Sequence, residues 1–104
     1  MKKYTLLFLL FSLASYSQII SFPDANFKNA LVNTNCIDTN NNGIGDIDAD
    51  ANNDGEIEVS EAVTVNSLIV EQQSITNLSG IEQFINLHTL NCSYNPLITL
   101  DLTS

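Results

Sequence analysis

Residues 63–104 decide the fold, and they read VTVNSLIVEQQSITNLSGIEQFINLHTLNCSYNPLITLDLTS. When this stretch is shifted along itself until Val65 aligns with Leu87, side chains of the same kind align at six positions. The aligned pairs are Val65 with Leu87, Leu68 with Leu90, Val70 with Cys92, Gln73 with Asn95, Ile75 with Leu97 and Leu78 with Leu100. Six matches at one offset predict an internal repeat.

Each unit follows the pattern LxxLx(V/C)xx(Q/N)x(I/L)xxL, which is the pattern of leucine-rich repeats, and the offset lies within their usual period of roughly 20 to 29 residues. We therefore predict an α+β repeat fold, the start of a leucine-rich-repeat solenoid with short parallel strands. Inward side chains of successive turns should stack, Leu68 on Leu90 and Val70 on Cys92. Asn95 should bend the chain after its strand, because its amide can bond backbone groups of the turn.

The two strands predict a concave face of the kind that repeat proteins use for partners. The side chains expected to project on this outer face are Ser67, Ile69, Glu71, Thr89, Asn91, Ser93 and Tyr94. A protein or cell-surface ligand is the expected partner, and two turns define only a small surface for it. The residues predicted to contact it are Ile69, Glu71, Asn91 and Tyr94.

Residues 50–61, here called loop 2, read DANNDGEIEVSE and match the calcium loop of the EF-hand at every informative position. Carboxylate, amide and carbonyl oxygens at this spacing suit a hard cation that needs about six to eight of them. Glu56 would offer its backbone carbonyl, Glu58 would bind directly or through water, and Glu61 would bind with both carboxylate oxygens. The predicted ligands of a structural Ca²⁺ are Asp50, Asn52, Asp54, Glu56, Glu58 and Glu61.

Residues 38–49, loop 1, repeat the first part of this pattern but carry Ala49 at the twelfth position. Either a second cation binds here with Asp48 or Asp50 as the replacement ligand, or none binds. The predicted ligands of this second site are Asp38, Asn40, Asn42, the carbonyl of Ile44 and Asp46.

The segment before the loops predicts a short helix over residues 25–32, since Pro23 and Asp24 form a start signal and Phe27, Ala30 and Leu31 recur at helical spacing. Residues 33–55 are rich in Asn, Asp, Gly and Thr, so without a ligand we expect loop or disorder there. The helix and both loops together form a predicted N-terminal cap, residues 18–62.

Residues 1–17 predict a secretory signal peptide, with Lys2 and Lys3 before an apolar run and small residues around Tyr16. The run, residues 4–14, is shorter than the roughly 20 residues that span a membrane. Cleavage would leave one lysine against twelve acidic residues, a net charge of −11. That balance argues against nucleic acid and anionic membranes, which both need clustered cations. We expect a secreted or cell-surface protein.

Residues 63–104 resemble bacterial internalin-like leucine-rich-repeat proteins, in which a GIExFxNLxxL step leads into an LxCSxNxLxxLDLS step. The leader FPDANFKNALV, the Asp- and Asn-rich loop and EIEVSEA also resemble the segment ahead of the repeats in that group. Gln73 departs from the family, which usually has Asn there. Loop 1 resembles the tandem calcium repeats of thrombospondin-like and dockerin-like modules. The resemblance implies a non-catalytic extracellular protein for interaction or adhesion, with further repeats and often a surface-attachment domain in full-length relatives.

Two other interpretations remain: a dockerin-like calcium-dependent docking module, and the leader region of a larger extracellular hydrolase. No combination of nucleophile, base and orienting group is recognisable, and His88 is expected to be exposed. Exported proteins form disulfides, but Cys92 stands where a repeat needs a small buried apolar side chain, so a bridge to Cys36 is the less favoured arrangement. Since repeat proteins usually need at least three units, two truncated units favour a piece of a longer protein.

Overall fold

A computed structural model describes residues 18–98, and the predicted signal peptide and the end of the predicted repeats, residues 99–104, lie outside this range. The helices and strands are α1 (Ala25–Asn33), α2 (Val59–Ala62), β1 (Ser67–Ile69), a 3-10 helix (Ile81–Gln83) and β2 (Thr89–Asn91). Among the described residues, no helix is long and apolar enough to cross a membrane.

Helix α1 confirms the predicted helix and continues one residue further. Asp24 caps it, because one carboxylate oxygen accepts the backbone N–H groups of Asn26 at 2.8 Å and Phe27 at 3.1 Å, which have no partner inside the helix. The helix ends where the Thr34 hydroxyl donates to the carbonyl of Ala30. Its buried face consists of Phe27, Ala30 and Leu31, the three residues on which the prediction rested.

Strands β1 and β2 form a parallel sheet in which Ser67 lies opposite Thr89, Leu68 opposite Leu90 and Ile69 opposite Asn91. The partners in each pair are separated along the chain by the same offset as the sequence repeat. In residues 18–98 this is one pair of strands rather than an evident solenoid. The leucine-rich-repeat class stays a prediction.

Residues 36–38, at the start of loop 1, cover the other edge of β1. Ile37 forms antiparallel bridges with Leu68 and with Ile47, so it joins loop 1 to the sheet. The N–H of Ile69 donates to the carbonyl of Cys36 at 2.7 Å, and the N–H of Asp38 donates to the carbonyl of Ser67 at 3.2 Å. Since backbone polar groups at a sheet edge need partners, this bridge closes the edge that faces away from β2.

The core is one continuous apolar cluster between α1, the loops and the first turn of the repeat. Leu68 and Val70 are fully buried in it, as predicted, and so is Ile57. The core is less complete in the second turn. Four residues are half-buried there, whereas the corresponding residues one repeat earlier are fully or almost fully buried. The half-buried residues are Leu87, Leu90, Cys92 and Leu97.

The leader also contacts the turn between the two repeat units. The ring of Phe22 packs edge-on against Phe27, with centroids 5.2 Å apart, and lies directly over Gly80. A Cβ on Gly80 would come within 2.5 Å of that ring, and the residue has a φ of +107°. Glycine is therefore required here both for the backbone conformation and for the close approach of the ring.

Candidate metal centre

Loop 2 is built around the carboxylate of Asp50. One oxygen accepts the N–H of Gly55 at 2.8 Å, and the other accepts the N–H of Asp54 at 3.2 Å. The chain turns tightly enough for this because Asn53 and Gly55 adopt the left-handed region, with φ of 57° and 81°. Asn and Gly enter that region most easily, which explains these residue types at the fourth and sixth positions.

Loop 1 has the same backbone frame. Asp38 accepts the N–H of Gly43 at 2.8 Å and that of Asn42 at 3.2 Å, and Asn41 and Gly43 have φ of 62° and 85°. An oxygen of the fifth side chain, the amide oxygen of Asn42 or a carboxylate oxygen of Asp54, also accepts the N–H of the seventh residue in both loops. The first seven positions of the two loops therefore adopt one conformation.

The two loops differ in their second halves for steric reasons. A Cβ on Gly45, the eighth residue of loop 1, would overlap the carbonyl oxygen of Asn35, so only glycine fits. The eighth residue of loop 2 is Ile57, which enters the core. Ala49, the twelfth residue of loop 1, is also buried, and its N–H donates to the carbonyl of Leu31. Its position therefore serves packing.

Loop 2 runs directly into α2, which begins at its tenth residue, Val59. Glu61 has one carboxylate oxygen on the N–H of Glu58 at 3.0 Å and the other on the N–H of Asn52 at 3.1 Å. The same side chain thus caps α2 and reaches the third position of the loop. The sequence predicted a role for Glu61 in the loop but not this helical turn.

Acidic side chains crowd together at this end of loop 2. Glu58 is buried and shares a hydrogen bond with Asp54, which together with desolvation and a further contact with Glu61 raises the pKa of Glu58 to about 7. Hydrogen bonds from the Glu56 backbone and from Glu58 lower the pKa of Asp54. Two carboxylates this close need a proton or a cation between them, because their charges otherwise repel.

The side chain of Glu56 points away from this crowd to Lys28, with Nζ and Oε1 2.7 Å apart. Both side chains are about a third or more exposed, so the pair contributes little to stability. The prediction used only the backbone carbonyl of Glu56, and the ion pair leaves that carbonyl available.

Among residues 18–98, His, Cys, Asp and Glu side chains form no group of three or more with the arrangement of a metal centre. The predicted set for loop 2 also includes donors of other kinds, the amide oxygen of Asn52 and the backbone carbonyl of Glu56. Asn52 is already close to the crowd, because its amide donates to Glu58 at 3.2 Å. The six predicted ligands thus lie along one short loop, with their carboxylates hydrogen-bonded to backbone and to each other.

The five residues predicted for a second site have different surroundings. Asp38 is buried; burial alone would raise its pKa, but backbone hydrogen bonds from Gly43 and its neighbours lower it, so the group stays ionised. Asp46 is exposed and accepts the hydroxyl and the N–H of Thr39. The remaining three, Asn40, Asn42 and Ile44, are exposed.

The residues predicted for partner contact lie around the sheet face. Ile69 and Asn91 are half-buried opposite each other, Asn91 donates to Glu71 at 2.8 Å, and Tyr94 is 78% exposed. Loop 1 borders this face, since a cavity of about 310 Å³ is lined by Asp38 and Asn41 together with both strands.

Two neighbouring predictions had different outcomes. Ser67 was expected on the exposed face but is buried. The N–H of Asp38 donates to its backbone carbonyl, and the Thr89 hydroxyl donates to its side-chain oxygen at 2.6 Å. His88 is exposed as predicted, with Nδ1 2.8 Å from the carbonyl oxygen of Asn86.

Sequence reasoning missed Ile37, the residue that fixes loop 1 against the sheet. Its signal was an apolar residue immediately before the acidic loop, matched by Ile47 near the loop's end. Comparison with family models, with curated proteins and with solved structures gives no match to this chain.

Proposed function

We propose that this chain is the start of a non-catalytic extracellular leucine-rich-repeat protein, whose N-terminal cap binds a structural Ca²⁺ in loop 2 and whose concave face binds a protein partner. One observation carries the repeat class. The strand register and the sequence repeat have the same offset, and Leu68 and Val70 fill the inward positions of the pattern.

Asn95 supports the same class. Its carbonyl oxygen accepts the N–H groups of Gln73 at 2.8 Å and Ile75 at 3.1 Å, and its amide nitrogen donates to the carbonyls of Val70 at 2.8 Å and Cys92 at 2.9 Å. One side chain thus joins the backbone of two successive turns. This is the role that the repeat pattern predicts for asparagine at this position.

Calcium in loop 2 is supported by the donor types and by the crowding of their charges. Asp54 and Glu58 share a hydrogen bond, and Glu61 lies close enough to raise the pKa of Glu58 further. A divalent cation bound among Asp50, Asp54, Glu58 and Glu61 would replace the shared proton and remove the repulsion. The cation would stabilise the loop against which the first turn of the repeat packs.

Isothermal titration of the secreted chain, residues 18–104, with Ca²⁺ tests this proposal. We expect a Kd of roughly 0.1 to 1 mM, the range of extracellular modules. Glu61→Gln should weaken binding at least about tenfold, or about 1.4 kcal/mol. The matched control Glu71→Gln, an exposed glutamate outside both loops, should bind like the parent. Equal affinities for parent and Glu61→Gln would contradict the assignment.

The same titration gives the number of ions. One ion per chain places Ca²⁺ in loop 2 alone, since loop 1 has Ala49 where loop 2 has Glu61. Two ions would mean that Asp48 or Asp50 completes a site in loop 1. Asp46→Asn should then remove one ion while leaving the site in loop 2 intact.

The partner-binding part rests on the exposed side chains beside the sheet. Fluorescently labelled protein should adhere to cells that display the partner, and Tyr94→Ala should reduce that adhesion severalfold because a large exposed aromatic side chain is lost. Ile98→Ala removes a similarly exposed apolar side chain outside the predicted contact set and should not reduce it. Equal losses for both variants would place the contact elsewhere.

A dockerin-like module is the second candidate, favoured by the shared conformation of the two loops. In such a module the loops would fold without the repeats. Ile37 pairs with Leu68 and so binds loop 1 to β1, which argues for one folding unit. Calcium-dependent folding of residues 18–62 alone would favour the docking module instead.

A further inference from the structure

Loop 1 contains a dipeptide with its own chemistry, Asn42–Gly43. Asn42 is the only asparagine of residues 18–98 that precedes a glycine. It is exposed, and so are its neighbours Asn40, Asn41 and Gly43. Nothing lies within 4 Å of the position that a Cβ on Gly43 would occupy, so the α-carbon of Gly43 is open to solvent on that side.

An asparagine side chain can react with the peptide nitrogen that follows it. The nitrogen of Gly43 would attack the side-chain carbonyl carbon of Asn42, and a five-membered succinimide ring would form. The side-chain amide leaves as ammonia and carries away the displaced proton. Water then opens the ring at one of its two carbonyls, which gives aspartate or isoaspartate. Water is the only co-reactant, and no oxidation occurs.

The structure places a donor on the oxygen that gains charge in this reaction. The side-chain carbonyl of Asn42 accepts the N–H of Ile44 at 2.9 Å, which folds the side chain back over the peptide of Gly43. That bond also stabilises negative charge on the carbonyl oxygen when the nitrogen attacks, as an oxyanion hole does. The N–H of Ile44 thus polarises the reacting carbonyl.

A second hydrogen bond restrains the nucleophile. The N–H of Gly43 donates to Asp38 at 2.8 Å, and it must leave this carboxylate before its nitrogen can attack. Asp38 also accepts the N–H of Asn42, so it holds both residues of the dipeptide. Opening of loop 1 away from Asp38 should therefore control the rate.

We propose that Asn42 is a site of spontaneous deamidation, and that the hydrogen bonds of Asp38 limit its rate in the folded protein. The aspartate product has a structural precedent in the same chain, because Asp54 occupies the fifth position of loop 2 with the same hydrogen bond to the seventh residue. After the reaction, the first, third and fifth positions of loop 1 would carry the same side chains as those of loop 2.

The two products act in opposite directions on loop 1. Aspartate adds a carboxylate to the predicted ligands, whereas isoaspartate lengthens the backbone by one carbon and breaks the bonds from Asp38 to residues 42 and 43. This part alone rests on the proposed binding of calcium. Asn42→Asp reproduces the aspartate product, and we expect it to bind Ca²⁺ in loop 1 severalfold more tightly than the parent.

Peptide mapping by mass spectrometry tests the modification. The secreted chain is incubated at mildly alkaline pH, and loss of side-chain amide is followed at each asparagine of both loops. We expect Asn42 to react severalfold faster than Asn41 or Asn53 in the same sample. Asn42→Gln should abolish the reaction at this position, because a side chain longer by one carbon does not form the five-membered ring. Similar rates at Asn42 and Asn53 would overturn the proposal.

The restraint by Asp38 is tested by two further measurements. Asp38→Ala should accelerate the loss at Asn42 severalfold, and so should urea with the unaltered chain, which serves if the variant does not fold. A rate that is unchanged by urea would refute the role of Asp38. If Ca²⁺ binds to neither the parent nor Asn42→Asp, the calcium proposal fails, whereas the mapped deamidation is measured independently.

Discussion

Asp24 shows how much a single carboxylate does in this protein. One oxygen caps α1, and the other accepts the N–H groups of Thr76 at 2.7 Å and Asn77 at 2.9 Å. The first contact is local and was predicted from the sequence. The second joins residues far apart in the chain and could not be predicted, because no spacing rule relates a helix cap to a turn of the following repeat.

Asp24→Asn should lower the free energy of unfolding by about 1 to 3 kcal/mol. Asparagine can still cap α1 with its carbonyl oxygen, but its NH₂ group faces the N–H donors of Thr76 and Asn77. Urea unfolding of parent and variant in chelator measures the loss. Asp48→Asn, at a half-buried aspartate of loop 1 that takes part in neither contact, is the control and should change stability far less. Equal losses would contradict the bridging role.

The effect of Asp24 should also depend on pH. Burial would raise the pKa of Asp24, but hydrogen bonds from Thr76, Asn77 and Phe27 outweigh it and lower the pKa. Its stabilisation is therefore fully present above the unfolded pKa of about 3.9 and is lost as pH falls through the lower folded value. The difference in unfolding free energy between parent and Asp24→Asn should shrink below about pH 4. A difference that is constant down to about pH 2 would refute this.

The two cysteines should react differently with thiol reagents. Both are free; Cys36 is fully buried, which raises the pKa of its thiol to about 12, whereas Cys92 is half-buried. Since the thiolate is the reactive form, only Cys92 should be alkylated in the folded protein, and both thiols in denaturant. Mass spectrometry after labelling measures this. Cys92→Ser should abolish labelling of the folded protein, and a chain unlabelled even in denaturant would indicate a disulfide.

Among the secondary-structure elements, those that follow from sequence patterns were predicted, and those that depend on contacts between distant residues were not. Helix α1 follows from the helical spacing of neighbouring apolar residues, and the offset of the strands follows from the internal sequence repeat. Helix α2 is a single turn, too short for periodicity to indicate. The burial of Ser67 depends on the leader crossing β1, which alternation along the strand does not encode. For the two loops, the sequence predicted the types of metal ligand but not the hydrogen bonds that give the loops a common conformation.

Asn95 is the residue on which the contact between the two turns depends most. Asn95→Ala would leave the N–H groups of Gln73 and Ile75 and two carbonyls without this partner. We expect a loss of about 2 to 3 kcal/mol in the free energy of unfolding, measured in urea. Asn29→Ala, at an exposed position of α1, should stay within about 0.5 kcal/mol of the parent. A similar effect of both substitutions would mean that Asn95 does not join the turns.

For the whole molecule, residues 18–62, the predicted N-terminal cap, and residues 63–98 form one structure joined through Ile37, Phe22 and Asp24. The cap carries most of the charge, since eight of the twelve acidic residues lie between Asp38 and Glu61. Its loops have few apolar side chains in the core, so their stability depends most on what neutralises the carboxylates. Removal of Ca²⁺ by a chelator should therefore loosen the loops before the rest of the protein unfolds.

Hydrogen exchange with and without chelator tests this order. With Ca²⁺ removed, amides of residues 33–62 should exchange faster, and those of β1 and the buried part of α1 should change less. The proposal requires this contrast, so exchange that is unchanged by chelator, or faster throughout the chain, would contradict it. Glu71→Gln serves as a control, because it alters the charge of an exposed side chain outside both loops.

The bridge between Ile37 and Leu68 also gives the sheet a direction. One side of β1 is sealed by an antiparallel segment, while among residues 18–98 no strand lies beyond β2. A sheet with one covered edge can be extended only at its other edge. Any strand that joins this sheet is admitted beside Thr89, Leu90 and Asn91 alone, so successive turns can be added in only one order.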